Sequence, residues 1–216
     1  MDFINIERTL KFLPGIILGL TVHEFCHAWM AHLSGDSTSK EQGRITLNPL
    51  KHIDPIGFIF LLVAGFGWAK PVQFNEEKLH KKIDVIKIAL AGPLSNALLA
   101  MLLSILFVVI EKSYPENYSS GFQLMNEVFV YAIFINWGLF IFNLIPVPPL
   151  DGSHLLFYPL RRYPEVYNAL YRYGSIAFFI LLLISSTTKA DLLPIGNVIK
   201  FFVEGFMSIL GYRISL

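Results

Sequence analysis

Residues 10–33 read LKFLPGIILGLTVHEFCHAWMAHL, a long apolar stretch that contains the pentapeptide His23-Glu24-Phe25-Cys26-His27. A bilayer core about 30 Å thick needs roughly 20 apolar residues of helix, so this stretch predicts a membrane-spanning helix. Residues four apart lie on one face of a helix, so His23 and His27 can bind one metal ion together. Glu24 can then act as a general base on a water that the metal activates.

The membrane setting strengthens the prediction of a metal site. Ionisable groups inside a membrane helix are costly, and three of them within five residues need compensation, which a bound divalent cation supplies. The alternative is that His23, Glu24 and His27 form the polar end of a helix and are wetted at the membrane interface.

The overall composition also indicates a membrane protein. Of the 216 residues, 54% are hydrophobic and 15% are charged, whereas a soluble domain usually carries about 25% charged residues. The formal net charge of +1 gives no indication of a nucleic-acid partner. We expect a single domain over residues 1–216, because no polar segment is long enough to form a separate soluble domain.

Further apolar stretches predict a bundle of helices. They are Ile83 to Ile110, Val128 to Ile145, Gly174 to Thr187 and, interrupted by Lys200 and Glu204, Leu193 to Leu210. The stretch Pro55 to Trp68 is too short to span and predicts a re-entrant or interfacial element. Loose alternation in Gly43 to Leu50 predicts a short strand and turn before it. We therefore expect an all-α polytopic membrane protein with about 4–6 transmembrane helices and a short membrane-associated β-hairpin or re-entrant segment.

The loop charges predict an orientation in the membrane. Basic residues concentrate in the loops near 34–82 and 146–173, and the loop between the second and third spans is acidic. The positive-inside rule places both basic loops in the cytoplasm. We therefore expect a multi-pass protein of the cell membrane whose active site lies nearer the cytoplasmic side.

A third metal ligand is expected in the stretch 143–152, NLIPVPPLDG. A catalytic zinc site usually has three protein ligands, and Asp151 is the best remaining residue. The prolines end the preceding helix, and Gly152 permits a backbone conformation that turns the carboxylate inward. The alternative is an ordinary turn aspartate that caps the next helix.

Taken together, these motifs resemble the site-2 protease family of intramembrane metalloproteases. The similarity extends to residues 48–57 (NPLKHIDPIG), 67–72 (GWAKPV) and 91–96 (AGPLSN). The resemblance implies one zinc ion bound by His23, His27 and Asp151, with Glu24 as the catalytic acid/base. It also implies a membrane-spanning protein substrate that is cleaved in or near its own transmembrane segment.

The resemblance further implies that Asn96 and Asn143 contact the substrate backbone or the reacting carbonyl. The alternative for both asparagines is hydrogen bonding between helices of the bundle. Whether His52 or His154 supports the metal ligands stays open. Many family members carry a PDZ or CBS domain that this sequence lacks. We therefore expect the compact branch, which leaves room for a separate regulatory protein.

Two other functions are considered beside proteolysis. The first is a non-catalytic scaffold that binds membrane helices, and the presence of Glu24 argues against it because a scaffold needs no general base. The second is a membrane metal transporter, which usually shows internal repeats and several intramembrane carboxylates. Only Glu24 and Asp151 fit that description here.

Overall fold

Helices dominate the fold, which we describe from a computed structural model for residues 6–64, 67–114, 119–188 and 194–214. In chain order they are α1 (Ile6–Leu33), α2 (Thr38–Glu41), α3 (Pro55–Ala64), α4 (Asp84–Ser113), α5 (Ser120–Asn143), α6 (Ser153–Leu160), α7 (Pro164–Ala169), α8 (Ser175–Thr188) and α9 (Ile195–Ile209). Short 3-10 helices lie at Pro49–Lys51 and Glu76–Lys78, and a π-helical turn at Leu170–Gly174 joins α7 to α8.

Three of these helices are long and apolar enough to cross a membrane. Within the described residues they are α1, α4 and α5. Helices α8 and α9 have 14 and 15 described residues and are not among them. The all-α membrane architecture is therefore supported, whereas the expected number of spans is not confirmed. The predicted re-entrant stretch contains the ten-residue helix α3.

The predicted strand and hairpin are not found in the part of the chain that the structure describes. An isolated antiparallel bridge pairs Ile53 with Ala69. In the segment 43–50, short-range bonds satisfy the backbone instead: the Thr46 N–H donates to Arg44 O, and the Asn48 side chain accepts from Leu50 N–H. Gly65, Phe66 and Leu193, which belong to predicted elements, lie outside the described residues.

Glycines on α1 allow this helix to approach α5 closely. A Cβ atom on Gly15 would lie 2.7 Å from the Ala132 Cα, and a Cβ on Gly19 would lie 2.7 Å from the Asn136 Oδ1. Small residues four apart are a common way for membrane helices to pack backbone against backbone. The spacing therefore positions the half of α1 that carries His23 directly against α5.

The long helices place two connecting segments at the same end of the bundle. Helix α1 runs towards this end, α4 runs away from it, and α5 returns to it. The described parts of the segment 34–83 (34–64 and 67–83) and the segment 144–152 consequently lie together there. The other half of the bundle is an aromatic and aliphatic core in which α9 packs against α4 and α5, with Trp137, Val203 and Met207 buried.

Candidate metal centre

Three predicted ligands converge at the loop end of the bundle. The Nε2 atoms of His23 and His27 are 3.0 Å apart. The Oδ2 atom of Asp151 lies 3.0 Å from the Nε2 of His23 and 3.3 Å from the Nε2 of His27. Both histidines are buried, and the side chain of Asp151 is 22% exposed. His27 and Asp151 are 124 positions apart in the sequence. Together with His23, each of them directs one donor atom to a common point.

The opposite nitrogen of each imidazole is held by a group on α4. The Nδ1 of His23 is 2.6 Å from the Asn96 Oδ1, and the Nδ1 of His27 is 2.7 Å from the carbonyl oxygen of Ile88. Both partners are acceptors, so each Nδ1 carries the proton and each Nε2 keeps its lone pair. Lone pairs that face one another in a buried site repel unless a proton or a metal cation lies among them, so this arrangement suits a bound metal ion.

The orientation of the Asn96 amide is fixed by its other hydrogen bonds. Its Nδ2 donates to the carbonyl of Gly19 and to the Oδ1 of Asn136, both at 3.0 Å. The Nδ2 of Asn136 donates in turn to the carbonyl of Ala132. Because the amide nitrogen is committed to two acceptors, the oxygen must face His23. A polar network across α1, α4 and α5 therefore determines which nitrogen of His23 is available as a ligand.

Gly92 leaves the space into which the two ring nitrogens point. A Cβ atom at this position would lie 2.3 Å from the Nε2 of His27 and 2.7 Å from the Nε2 of His23. The side chain of any larger residue would occupy the position that a metal ion bound by His23 and His27 needs. The absence of a side chain on α4 is therefore part of the construction of the site.

Asp151 is presented by a tight turn after α5. The Gly152 N–H donates to the carbonyl of Asn143 at 2.6 Å. The φ of Gly152 is −56°, which any residue adopts, so the predicted conformational reason for this glycine is wrong. The physical reason is close approach, because a Cβ there would lie 2.3 Å from the carbonyl oxygen of Leu144.

The Asp151 carboxylate is suited to bind a cation. Burial raises the pKa of Asp151, but hydrogen bonds and charge from the imidazoles of His23 and His27, which are protonated when no metal ion is bound, outweigh this and hold the pKa well below its usual range. Metal ligands must be deprotonated, and this aspartate is ionised at neutral pH. Two neutral imidazoles and a carboxylate form a ligand set that catalytic zinc uses, with a position left for water. The residues present therefore fit a zinc ion.

Glu24 lies beside the ligands but faces a different segment. Its Oε2 accepts a hydrogen bond from the Val72 N–H at 3.0 Å and lies 3.8 Å from the NH2 nitrogen of Arg44. The same nitrogen of Arg44 donates to the carbonyl oxygen of Lys70. The glutamate is 8% exposed. It is thus held at the border between α1 and the non-helical stretch after α3.

The remaining predicted residues have other partners. The Nδ2 of Asn143 donates to the carbonyl of Leu139 on its own helix, and Asn96 makes the hydrogen bonds between helices that the sequence left as an alternative. His52 is buried and its Nε2 contacts the carbonyl of Thr46, away from the ligands. His154 lies on α6 near Phe74, and its burial lowers its pKa. The predicted substrate contacts of the two asparagines stay predictions.

Comparison with known proteins assigns the family. The sequence profile of peptidase family M50 matches residues 11–184, a range that contains all three converging ligands. The chain therefore belongs to peptidase family M50, and the predicted membership of the site-2 protease family is confirmed. The prediction of a metalloprotease is supported by the same match. No solved structure matches the chain.

Several curated relatives carry names that describe zinc metalloproteases. YwhC of Bacillus subtilis is 42% identical over 142 residues, which is 65% of this chain and 65% of YwhC. Rip2 of Mycolicibacterium smegmatis is 28% identical over 208 residues, which is 94% of this chain and 76% of Rip2. MJ0611 of Methanocaldococcus jannaschii is 33% identical over 103 residues, 47% of this chain and 49% of that protein. The match to YwhC thus covers a little under two thirds of that relative.

Proposed function

We propose that this protein is an intramembrane zinc metalloprotease that hydrolyses peptide bonds in or near the transmembrane segments of membrane proteins. The observation that carries the proposal is the convergence of His23, His27 and Asp151 on one point beside Glu24. Membership of a metallopeptidase family supports it. The long apolar helices that surround the site are the reason to expect a membrane-embedded substrate.

The proposed roles follow from the chemistry of each group. His23 and His27 bind zinc through Nε2, and Asp151 binds it through a carboxylate oxygen. Zinc, when bound, supplies Lewis acidity that polarises a carbonyl and lowers the pKa of a water to about 7. Glu24 takes a proton from the attacking water and delivers it to the leaving amine. Asn96 holds the Nδ1 proton of His23 and thereby keeps the ligand nitrogen available.

An apolar cavity of about 390 Å³ next to the site supports a substrate of membrane origin. It is bounded by α1, α3, α5 and α9, with Leu20, Trp68 and Leu139 among its walls. Leu20 lies one turn before His23, and Leu139 one turn before Asn143. Apolar side chains of a substrate's transmembrane segment could therefore occupy this cavity close to the metal ligands. The contact of Asn143 with the substrate is kept as part of this proposal.

The substrate must be extended at the scissile bond, because a helical carbonyl is hydrogen-bonded and shielded. The non-helical stretch 67–75 runs past Glu24 and is fixed by the bridge between Ile53 and Ala69 and by the bond from Val72 N–H. We propose that an unwound part of the substrate is laid along this stretch. The basic loops at this end of the bundle favour a cytoplasmic position for the site.

The test of the proposed function is a comparison of the wild-type protein with Glu24→Gln. Glutamine can still accept the Val72 N–H hydrogen bond, but it cannot take a proton from water. Both proteins are purified, reconstituted in lipid vesicles with a panel of single-span substrates, and measured for cleavage and bound zinc. We expect one zinc per chain in each, and a loss of cleavage of about 10²–10⁴-fold in the variant.

A matched control is Glu165→Gln, which changes an exposed glutamate on α7 and should leave cleavage unchanged. Equal cleavage by the wild type and Glu24→Gln would show that Glu24 is not the general base. If the zinc-loaded wild type cleaves no member of a broad panel, the protease proposal fails and the scaffold becomes the better explanation. Uptake of zinc into the vesicle lumen would favour the transporter.

A further inference from the structure

A buried arginine joins the general base to the stretch that passes beside it. Arg44 is 5% exposed and follows Gly43, whose φ of +67° turns the chain after α2. Its NH2 nitrogen donates to the carbonyl oxygen of Lys70 and lies 3.8 Å from the Oε2 of Glu24. The Val72 N–H donates to the same Glu24 oxygen. One guanidinium thus contacts both the base and its neighbouring segment.

Burial of the Arg44 guanidinium costs more free energy than filling the same space with apolar side chains would. A guanidinium loses much solvation on burial, and replacement of a buried ion pair by apolar side chains is often neutral or stabilising. The Nε of Arg44 is also buried with no acceptor among the described residues. Burial accordingly lowers the pKa of Arg44, and the Glu24 carboxylate opposes that effect. Costly local arrangements of this kind concentrate at functional sites.

We propose that Arg44 is a positioning residue for the reaction: it holds the Glu24 carboxylate and the Lys70–Val72 segment in one fixed mutual arrangement. This inference rests on the proposed function. Both contacts of the Glu24 Oε2 lead to the segment, one directly through Val72 N–H and one through Arg44. A peptide laid along the segment is therefore placed in register with the group that must receive a proton from the attacking water.

Lysine cannot reproduce this arrangement, although it carries the same charge. Both contacts use one terminal nitrogen, NH2, whose two N–H bonds lie in the plane of the guanidinium and therefore point in fixed directions. An ammonium on a flexible stem acts as a point charge and would favour one of them. Arg44→Lys and Arg44→Gln therefore separate the charge from the geometry, while Arg44→Ala leaves room for an added guanidinium ion.

The experiment measures cleavage kinetics and zinc content in reconstituted protein. For Arg44→Gln we expect kcat to fall about 10²-fold, because a base displaced by an ångström loses that much. KM should change by less than about threefold, since the substrate contacts remain, and zinc should stay at one per chain. Arg44→Lys should fall between Arg44→Gln and the wild type. Arg172→Gln, an exposed arginine that stacks on Tyr173, is the matched control and should behave as the wild type.

Two further readouts distinguish positioning from general stability. Guanidinium at a concentration too low to unfold the protein should restore part of the kcat of Arg44→Ala, whereas tetramethylammonium should not. Independently of activity, amide hydrogen exchange at Val72 should be about tenfold faster in Arg44→Gln, as expected when a hydrogen bond to a charged group is weakened. That measurement is made with and without zinc.

The outcomes are separable from those of the proposed function. If the wild type cleaves and Arg44→Gln keeps its kcat, or loses zinc and thermal stability together with activity, the inference is wrong and proteolysis stands. If the wild type cleaves nothing, the proposed function fails. In that case unchanged exchange at Val72 in Arg44→Gln would overturn the positioning role as well.

Discussion

The two halves of the metal site are built in different ways. His23 and His27 are on the 28-residue helix α1, and each ring is held from behind by a group on α4. Asp151 is on a turn between α5 and α6, and its partly exposed side chain depends on the backbone bond from Gly152 N–H to Asn143 O. The helical half is enclosed by packed helices, whereas the turn half borders a solvent-accessible surface.

This difference teaches where the site can tolerate change. A packed helix interface has no room to adjust, so a small addition there must displace a ligand. A surface turn can relax by moving its backbone, at a moderate cost in stability. We therefore expect changes in the helical half to affect zinc binding most, and changes around the turn to have smaller effects.

Gly92→Ala should produce the largest effect. Alanine favours the helix more than glycine does by about 1 kcal/mol, so α4 itself is not weakened. The added Cβ would, however, lie 2.3 Å from the Nε2 of His27. We expect zinc affinity to fall by more than about 10²-fold, beyond the effect of losing one supporting hydrogen bond. Competition with a zinc chelator, followed by metal analysis, measures it.

The control for this substitution is Gly205→Ala on α9, where nothing lies within 4 Å of an added Cβ. It adds the same methyl group to a helix away from the site and should bind zinc as the wild type does. Stoichiometric, tight zinc binding by Gly92→Ala would show that the helical half is more adaptable than the packing indicates.

Asn96→Ala should have the second largest effect. The substitution removes the acceptor for the Nδ1 proton of His23 and the amide donor to the Gly19 carbonyl and to the Oδ1 of Asn136. Loss of such a supporting group typically costs 10–100-fold in metal affinity, and we expect that range in a chelator competition. Ser113→Ala, on the exposed end of the same helix, is the control. An unchanged affinity would mean that His23 is oriented by packing alone.

The helical half could be predicted from the sequence because it depends on local spacing. Two histidines four residues apart on an apolar helix face the same way whatever surrounds them, and the structure places them together. Asn136 was not predicted to support the site, although a polar residue within an apolar stretch was a visible signal. Gly92 was noted only as part of the motif 91–96, and neither its role nor that of the Ile88 carbonyl could be predicted, because a missing side chain and a backbone group acquire their role only through helix packing.

The turn half was harder to predict for the same reason. Asp151 was identified from its flanking prolines and glycine, but the role of Gly152 depends on how closely the Leu144 carbonyl approaches. The strand expected at 43–50 failed because side-chain and short-range contacts, including those of Arg44, satisfy that segment. The contact of Arg44 with Glu24 could not be predicted, because Arg44 is one of several charges in the basic loop near 34–82 and the contact joins separate elements.

Gly152→Ala should have an intermediate effect. A Cβ here would lie 2.3 Å from the Leu144 carbonyl oxygen, so the turn must open and Asp151 must shift. We expect a loss of stability of about 1–3 kcal/mol and a loss of zinc affinity of about tenfold, because both histidines remain in place. Thermal unfolding in detergent and chelator competition measure the two effects. A loss as large as that of Gly92→Ala would contradict the distinction between the halves.

Glu76→Gln should have the smallest effect, although the contact it removes joins the two loop regions near the site. Glu76 forms a two-pronged ion pair with Arg161, at 2.6 and 2.7 Å, and both side chains are well exposed. Exposed pairs contribute about 0–1 kcal/mol, so the variant should bind zinc normally and unfold at nearly the same temperature.

The contact with Arg161 lowers the pKa of Glu76. The stability that the pair contributes is therefore fully present above the ordinary pKa of 4.5 and is lost as the pH falls through the lower folded value. The small difference in stability between the wild type and Glu76→Gln should thus be seen at neutral pH and disappear in acid. A difference that grows as the pH falls would show that Arg161 is not the partner that matters to Glu76.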